Sequence, residues 1–172
     1  MAEVFIALGS NLGDRKRNIL NAVEKIKEKV KIIRISSIYR TQPQEGVAGK
    51  WFLNGVLNGQ THLSPEQLLR FLQSIEENMG RPKNHKKNLA RTIDLDILFY
   101  DNCIIKKRHL RIPHPGISTR DFVLKGLLEI APDLEHPETK TTIRQMWKEI
   151  KNGNSKNKVP YQEHCSGSKE KG

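Results

Sequence analysis

The sequence predicts an α+β fold: a ferredoxin-like βαββαβ sandwich with a mainly antiparallel sheet and helices on one face, followed by a C-terminal hairpin and helices. Three observations predict it. Short apolar stretches with strand-like alternation are interleaved with two stretches whose apolar residues recur at helical spacing. Their order is strand, helix, strand, strand, helix, strand, which is the split β-α-β pattern. The chain has 172 residues, 36% of them hydrophobic and 28% charged, the size and balance of one globular domain with a charged surface.

The elements follow in chain order. Val4, Ile6 and Leu8 alternate with Phe5 and Ala7 ahead of Gly9, a largely buried first strand. Asp14 then opens a helix with Ile19, Leu20, Val23, Ile26 and Val30 on one stripe. Residues 31–41, rich in Ile and Ser, read as a second strand. The stretch 42–50 holds Pro43, Gly46 and Gly49 and reads as a long mobile loop before a third strand over 51–61. Ser64-Pro65-Glu66-Gln67 starts a helix: Ser64 caps, Pro65 fits the first turn, and Gln67 closes a capping box. Leu68, Leu69, Leu72 and Ile75 form its stripe and Gly80 ends it. A basic loop leads into Thr92-Ile93-Asp94-Leu95-Asp96-Ile97-Leu98-Phe99-Tyr100, the clearest strand of the chain. Residues 103–115 add a short strand or hairpin and a Pro-rich turn, and Phe122–Ile130 and Ile143–Ile150 read as helices. Residues 1–151 are therefore expected to form a single domain. From Asn152 to 172 the residues offer little to bury, and a disordered tail is expected.

Composition narrows the function classes. No apolar run approaches the roughly 18–20 residues of a membrane span, and the start lacks the basic region of a signal peptide. Cys103 and Cys165 are too few and too far apart for a disulfide framework or a zinc cluster. A cytoplasmic protein is expected. The formal net charge of +11 suits an anionic partner such as a nucleotide, and serves solubility equally.

Asp94 and Asp96 carry the strongest chemical signal. Residues two apart in a strand share a face, roughly 6.6 Å apart along the chain. Ile93, Leu95, Ile97 and Phe99 are thus expected to face the helices, with both acids on the opposite face. Asp is disfavoured in strands, and two carboxylates this close repel unless a cation lies between them. Magnesium suits the pair: a hard ion held by one or two carboxylates while phosphates and water complete its octahedron. The alternative is an ordinary solvated strand face. The loop Arg81-Pro82-Lys83-Asn84-His85-Lys86-Lys87-Asn88-Leu89-Ala90-Arg91 supplies five positive residues and no acid, and runs directly into the acidic strand. Arginine forks match phosphate, and arginines beside carboxylate-bound magnesium are the parts of phosphoryl transfer.

Other features say less. Gly9-Ser10-Asn11-Leu12-Gly13 could cradle an anion at a helix start, but a tight turn is the commoner meaning. There is no GxxxxGK[ST] loop. His109 and His114 lack a third zinc ligand at suitable spacing. His114 lies on a rigid turn between Pro113 and Pro115, and Trp51 and Phe52 could stack on a flat ring or simply pack in the core. His62, His85, His136 and His164 read as exposed polar residues.

Taken together, Gly9 to Gly13, Tyr39-Arg40-Thr41, Phe52-Leu53-Asn54, Glu76 to Arg81, Arg91-Thr92-Ile93-Asp94-Leu95-Asp96-Ile97-Leu98, and Ile112-Pro113-His114-Pro115 through Arg120-Asp121-Phe122 to Pro132 resemble the 6-hydroxymethyl-7,8-dihydropterin pyrophosphokinase family, in order, from about residue 3 to 150. The resemblance implies a folate-pathway enzyme that moves the β,γ-pyrophosphoryl group of ATP to the pterin hydroxymethyl oxygen and releases AMP. It implies two magnesium ions between the ATP phosphates and Asp94 and Asp96. Position by position, Arg81 and Arg91 are similar to the phosphate-binding catalytic arginines. Gln73, Glu76, Ile97, His109, His114 and Arg120 match nucleotide-side positions. Thr41, Pro43, Gln44, Phe52, Asn54, Asp94 and Phe122 match the pterin side, with Asn54 reading the ring's polar edge and the two Phe stacking around it. Asp96 is the single candidate for a general base.

The sequence also departs from the family. Phe52 stands where a Tyr is often found, Asn88 and Leu89 replace an aromatic and a small residue, His109 stands in place of an Arg, and Gly126 in place of a Pro. A monomer acting on ATP and a reduced pterin, with no nucleic acid or membrane partner, is expected. An RNA-binding module, the other user of such sheets, places aromatics where this chain has acids.

Overall fold

The structure, a computed structural model, describes residues 1–42, 51–80, 92–154 and 161–165. In chain order the elements are β1 (Ala2–Ser10), α1 (Arg15–Ile26), β2 (Val30–Ile35), β3 (Ile38–Thr41), β4 (Phe52–Thr61), α2 (Pro65–Asn78), β5 (Asp94–Tyr100), β6 (Ile105–Lys106), β7 (Arg111–Ile112), α3 (Asp121–Ile130), α4 (Ile143–Glu149) and β8 (Tyr161–Cys165). The main sheet runs β5-β1-β4-β3-β8, with β2 also on β4, and every pairing in it is antiparallel. β6 and β7 form a separate hairpin.

Local chemistry accounts for the helix starts. The Asp14 side chain accepts from the Arg17 N–H, and Ser64 and Gln67 exchange both bonds of a capping box ahead of α2. The stretch 31–41 is two strands rather than one. The Ser36 hydroxyl accepts the Val56 N–H at 2.8 Å, so a side chain takes a rung of the ladder and β2 ends where β3 begins.

The sheet has two unlike faces. Val4, Ile6 and Leu8 of β1 point to one, where they pack with Ile19, Ala22, Val23 and Ile26 of α1 and Leu68, Leu72 and Ile75 of α2. Phe5 and Ala7 point to the other, where α3 and α4 supply Val123, Leu124, Leu127, Ile130, Ile143 and Met146. The C-terminal helices therefore cover part of the face opposite α1 and α2.

One expectation about β5 is corrected. Phe5 pairs with Phe99 but Ile6 pairs with Ile97, so Leu98 is an extra residue and the strand bulges there. A one-residue insertion reverses the faces beyond it. Leu95 and Ile97 lie on the α1–α2 face as expected, while Phe99 crosses to the other and meets Phe5 edge to face at 6.0 Å. His136 also differs from its reading as an exposed residue. It is buried against Phe99 with its Nδ1 turned to the Glu138 and Thr139 N–H groups, and burial holds its pKa below the ordinary histidine value.

Within the segment beyond Asn152, residues 161–165 form β8, which pairs with β3, Ile38 opposite Cys165 and Thr41 opposite Tyr161. The outer edge of β3 carries backbone donors and acceptors, and an extended segment satisfies them without needing an apolar core. Composition does not register that kind of partner. No helix among the described residues is long and apolar enough to cross a membrane.

Candidate active site

Strand register assembles the site. Tyr39, Asn54, Gly9 and Asp94 lie directly opposite one another across β3, β4, β1 and β5, and Val56, Ala7 and Asp96 form the next row. Side chains in one row of an antiparallel sheet share a face. Here it is the face of Phe5 and Ala7. α3 and α4 pack over Phe5, Ala7 and Val56, leaving Phe52, Asn54, Gly9 and the two acids toward the strand ends that the helices do not seal.

Gly9 is the centre of this row. A β-carbon there would lie 3.0 Å from Asn54 Oδ1, 3.8 Å from Phe52 Cδ1 and 4.0 Å from Asp94 Cβ. Glycine is needed here for space rather than for a left-handed backbone. The hollow it leaves lies between Phe52 and Asn54 on one side and Asp94 on the other. Asn54 is buried and its amide donates to the buried Thr41 hydroxyl at 2.7 Å, so both side chains are fixed on the wall of that hollow. Phe52 is half-buried at the same place, and Phe122 half-buried in the first turn of α3 against the second apolar cluster.

Three groups hold β5 and its acids. The buried Glu76 carboxylate, from α2, accepts the Leu95 N–H at 2.8 Å. That bond ties the outer edge of β5 midway between Asp94 and Asp96. The Leu98 carbonyl at the bulge accepts the His114 N–H at 2.9 Å and anchors the 111–116 segment beside the strand. His114 Nε2 then lies 3.9 Å and Arg120 Nη1 3.7 Å from Asp96 Oδ2. Neither is a tight pair, and all three side chains keep partial access to solvent.

His114 is neutral at physiological pH. Burial and the Arg120 charge together lower its pKa from 6.5 to about 4, against the opposite pull of Asp94. Its Nδ1 accepts the Gly116 N–H at 2.9 Å. A backbone N–H can only donate, so the ring proton sits on Nε2, the nitrogen facing Asp96.

Of the residues singled out in the sequence, the structure brings together Thr41, Phe52, Asn54, Asp94, Asp96, His114 and Arg120. Gln73 is exposed on α2. The Ile97 side chain is in the core, so only its backbone, turned to the same outer edge of β5 as that of Leu95, is available to a ligand. His109 is drawn elsewhere: its Nε2 lies 3.0 Å from Glu66, which also accepts from Lys107 at 2.8 Å. Those two partners, first Lys107 and then His109, hold the Glu66 carboxyl below the usual carboxylate range. Pro43, Gln44, Arg81 and Arg91 lie outside the described residues. Sequence reasoning missed Gly9 as a floor and the Leu98 bulge. A glycine inside a strand was the available signal for the first.

A family model of 7,8-dihydro-6-hydroxymethylpterin-pyrophosphokinase matches residues 5–132, which include every site residue described above. The chain belongs to the 7,8-dihydro-6-hydroxymethylpterin-pyrophosphokinase (HPPK) family. It is 39% identical over 145 residues to the 2-amino-4-hydroxy-6-hydroxymethyldihydropteridine pyrophosphokinase of Aquifex aeolicus, covering 84% of this chain and 90% of that one. It is 44% identical over 159 residues to the folic acid synthesis protein fol1 of Pneumocystis carinii, covering 92% of this chain but only 21% of that protein. A Plasmodium falciparum HPPK-DHPS structure superposes with a TM-score of 0.70 at 16% identity, over 87% of this chain and 44% of that one. A crystal structure of HPPK-DHPS in complex with substrates gives 0.69 at 18% identity, over 87% and 43%. These structures share the fold. The chain thus spans about a fifth of the fungal relative and less than half of the solved ones.

Two predictions follow from the HPPK-family site. Gly9→Ala fills the hollow, so it should weaken pterin binding by about tenfold or more while nucleotide binding changes little, as isothermal titration of each ligand would show. The His114 pKa lies below its unfolded value, so acidification favours proton uptake by the unfolded chain. The stability that neutral His114 contributes is complete above pH 6.5 and is lost as pH falls toward about 4. His114→Gln should flatten the fall in melting temperature over that window, and an NMR titration of the wild-type ring should find Nε2 protonated at pH 7.

Proposed function

We propose that the chain transfers the β,γ-pyrophosphoryl group of ATP to the hydroxymethyl oxygen of 6-hydroxymethyl-7,8-dihydropterin, giving AMP and the pterin diphosphate, as a magnesium-dependent monomeric enzyme of the cytoplasm. The observation that carries this reading is the row Asn54–Gly9–Asp94, flanked by Asp96. It sets a fixed polar wall and an open floor directly beside two carboxylates that share a face.

The donor set fits magnesium. Asp94 and Asp96 offer carboxylate oxygens, and no cluster of three or more acids, histidines or cysteines able to hold a metal occurs among the described residues. Such a site leaves most of the coordination shell to nucleotide phosphates and water, which is how magnesium is usually bound. Two ions held by Asp94 and Asp96 would neutralise the phosphates and make the hydroxymethyl oxygen easier to deprotonate.

The chain's own residues do the rest. Thr41 fixes the Asn54 amide so that the carboxamide can read the polar edge of the pterin. Phe52 and Phe122 stack on the ring. Arg120, 3.7 Å from Asp96, adds positive charge where phosphate oxygens gather. His114 offers an Nε2–H that donates without adding a charge. Glu76 keeps the two acids at fixed depth by holding Leu95. Arg81 and Arg91, for which the family resemblance speaks, would stabilise charge on the transferring group from the stretch of sequence that precedes β5.

Incubation of the protein with ATP, the reduced pterin alcohol and magnesium should yield AMP and no ADP. Asp94→Asn and Asp96→Asn should each lower that turnover by about a thousandfold or more with melting temperature little changed, since both acids sit on an open face. Near-normal AMP formation by either variant at saturating magnesium would show that the acids do not hold the metal.

A further inference from the structure

We propose that Glu129, through Ser37 and Tyr39, is a positioning residue that sets the width and alignment of the pterin slot, a role that rests on the pterin pyrophosphokinase reading above. Glu129 lies near the C-terminal end of α3 and Phe122 near its start. They are seven residues apart, two helical turns, so they share one face of the helix roughly 10 Å apart along its axis. Gly126 lies between them on that face, and a β-carbon on it would stand 2.7 Å from Val56 Cγ2 and 3.3 Å from Ser36 Oγ. The face therefore carries a ring at one end, a close approach to the sheet in the middle and a carboxylate at the other end.

The carboxylate is held from several directions. The Ser37 N–H donates to both Glu129 oxygens at 3.0 and 3.1 Å, the Ser37 hydroxyl donates at 2.7 Å, and the Tyr39 hydroxyl donates to Oε2. The Lys125 ammonium lies 5.2 Å from the centre of the Tyr39 ring, and Arg34 donates to the Ile130 carbonyl at 3.1 Å. All of these tie the last turns of α3 to the start of β3.

Both elements run from this clamp toward the site. β3 proceeds from Tyr39 to Thr41, two residues along the same strand face, and Thr41 holds Asn54. α3, traced backward from Glu129, arrives at Phe122 and then at Arg120 beside Asp96. The apolar packing of Val123, Leu124, Leu127 and Ile130 is not directional and lets a helix roll or slide by a fraction of a turn. Hydrogen bonds to a carboxylate are directional. The clamp therefore fixes the rotation of α3 about its axis, and through it the placing of Phe122 against the wall formed by Thr41 and Asn54. Arg120, the nucleotide-side group at the N-cap of α3, is tied separately through its N–H to the Gly116 carbonyl at 3.1 Å, and the clamp bonds are made to neither His114 nor Glu76, so its loss should fall chiefly on the pterin.

The test compares wild type with Glu129→Gln and Tyr39→Phe, the latter removing one hydroxyl and leaving the ring. Arg144→Ala, which breaks the exposed pair with Asp133, serves as a control. KM for each substrate, kcat and melting temperature are measured, along with pterin affinity by fluorescence titration in the presence of a non-hydrolysable ATP analogue. Both clamp variants should raise the pterin KM and dissociation constant about fivefold or more, with KM for ATP and kcat within about twofold of wild type. The control should shift neither. Unchanged pterin affinity in both clamp variants would overturn the proposal, as would an equal rise in both KM values accompanied by a lower melting temperature. Absence of AMP formation by wild type would instead count against the proposed function. The fluorescence titration would still report on the clamp.

Discussion

Two carboxylates on one strand face repel each other, and much of this molecule is arranged around that cost. Asp94 and Asp96 cannot turn away, because Leu95 between them is committed to the α1–α2 core and its N–H to Glu76. Arg120 and the Nε2–H of His114 approach Asp96 without closing on it. The pair is thus held together on one face, an arrangement that suits a divalent cation bound to nucleotide. The neutral state of His114 belongs to the same balance: largely buried and beside Arg120, a second positive charge there is disfavoured.

The second face of the sheet is divided between packing and chemistry by the reach of α3 and α4. Over Phe5, Ala7, Val56 and Phe99 those helices build an apolar cluster. One row further along, Ala7 gives way to Gly9 and Val56 to Asn54, and the face becomes polar and open. The Leu98 bulge serves both sides of this division. It sends Phe99 into the cluster and leaves the Leu98 carbonyl to anchor His114 at the site. Packing of the fold and placing of the site therefore share residues.

The sequence was most legible where period and residue type agreed. The alternation of β1, the capping box at Ser64 and the two acids of β5 each stood out because a local rule and a chemical peculiarity pointed the same way. It was least legible where the decisive partner is distant in the chain. The bulge at Leu98 depends on the register with β1, the break at Ser36 on the Val56 N–H, and the burial of His136 on Phe99. None of these leaves a local trace. Gly9 lay in a motif visible from the start, but its purpose, leaving room beside Asn54 and Asp94, required the cross-strand row. The pairing of His109 with Glu66 at the surface is likewise a contact between distant parts of the chain.

The account turns on the two acids needing a cation that arrives with the nucleotide. Manganese can replace magnesium and reports its own binding through water-proton relaxation. The direct measurement is a manganese titration, with and without a non-hydrolysable ATP analogue, of wild type and of the Asp94→Asn, Asp96→Asn double variant. The account predicts weak manganese binding by wild type alone, strong binding with the analogue, and loss of that enhancement in the double variant. Equal enhancement in wild type and double variant would contradict it.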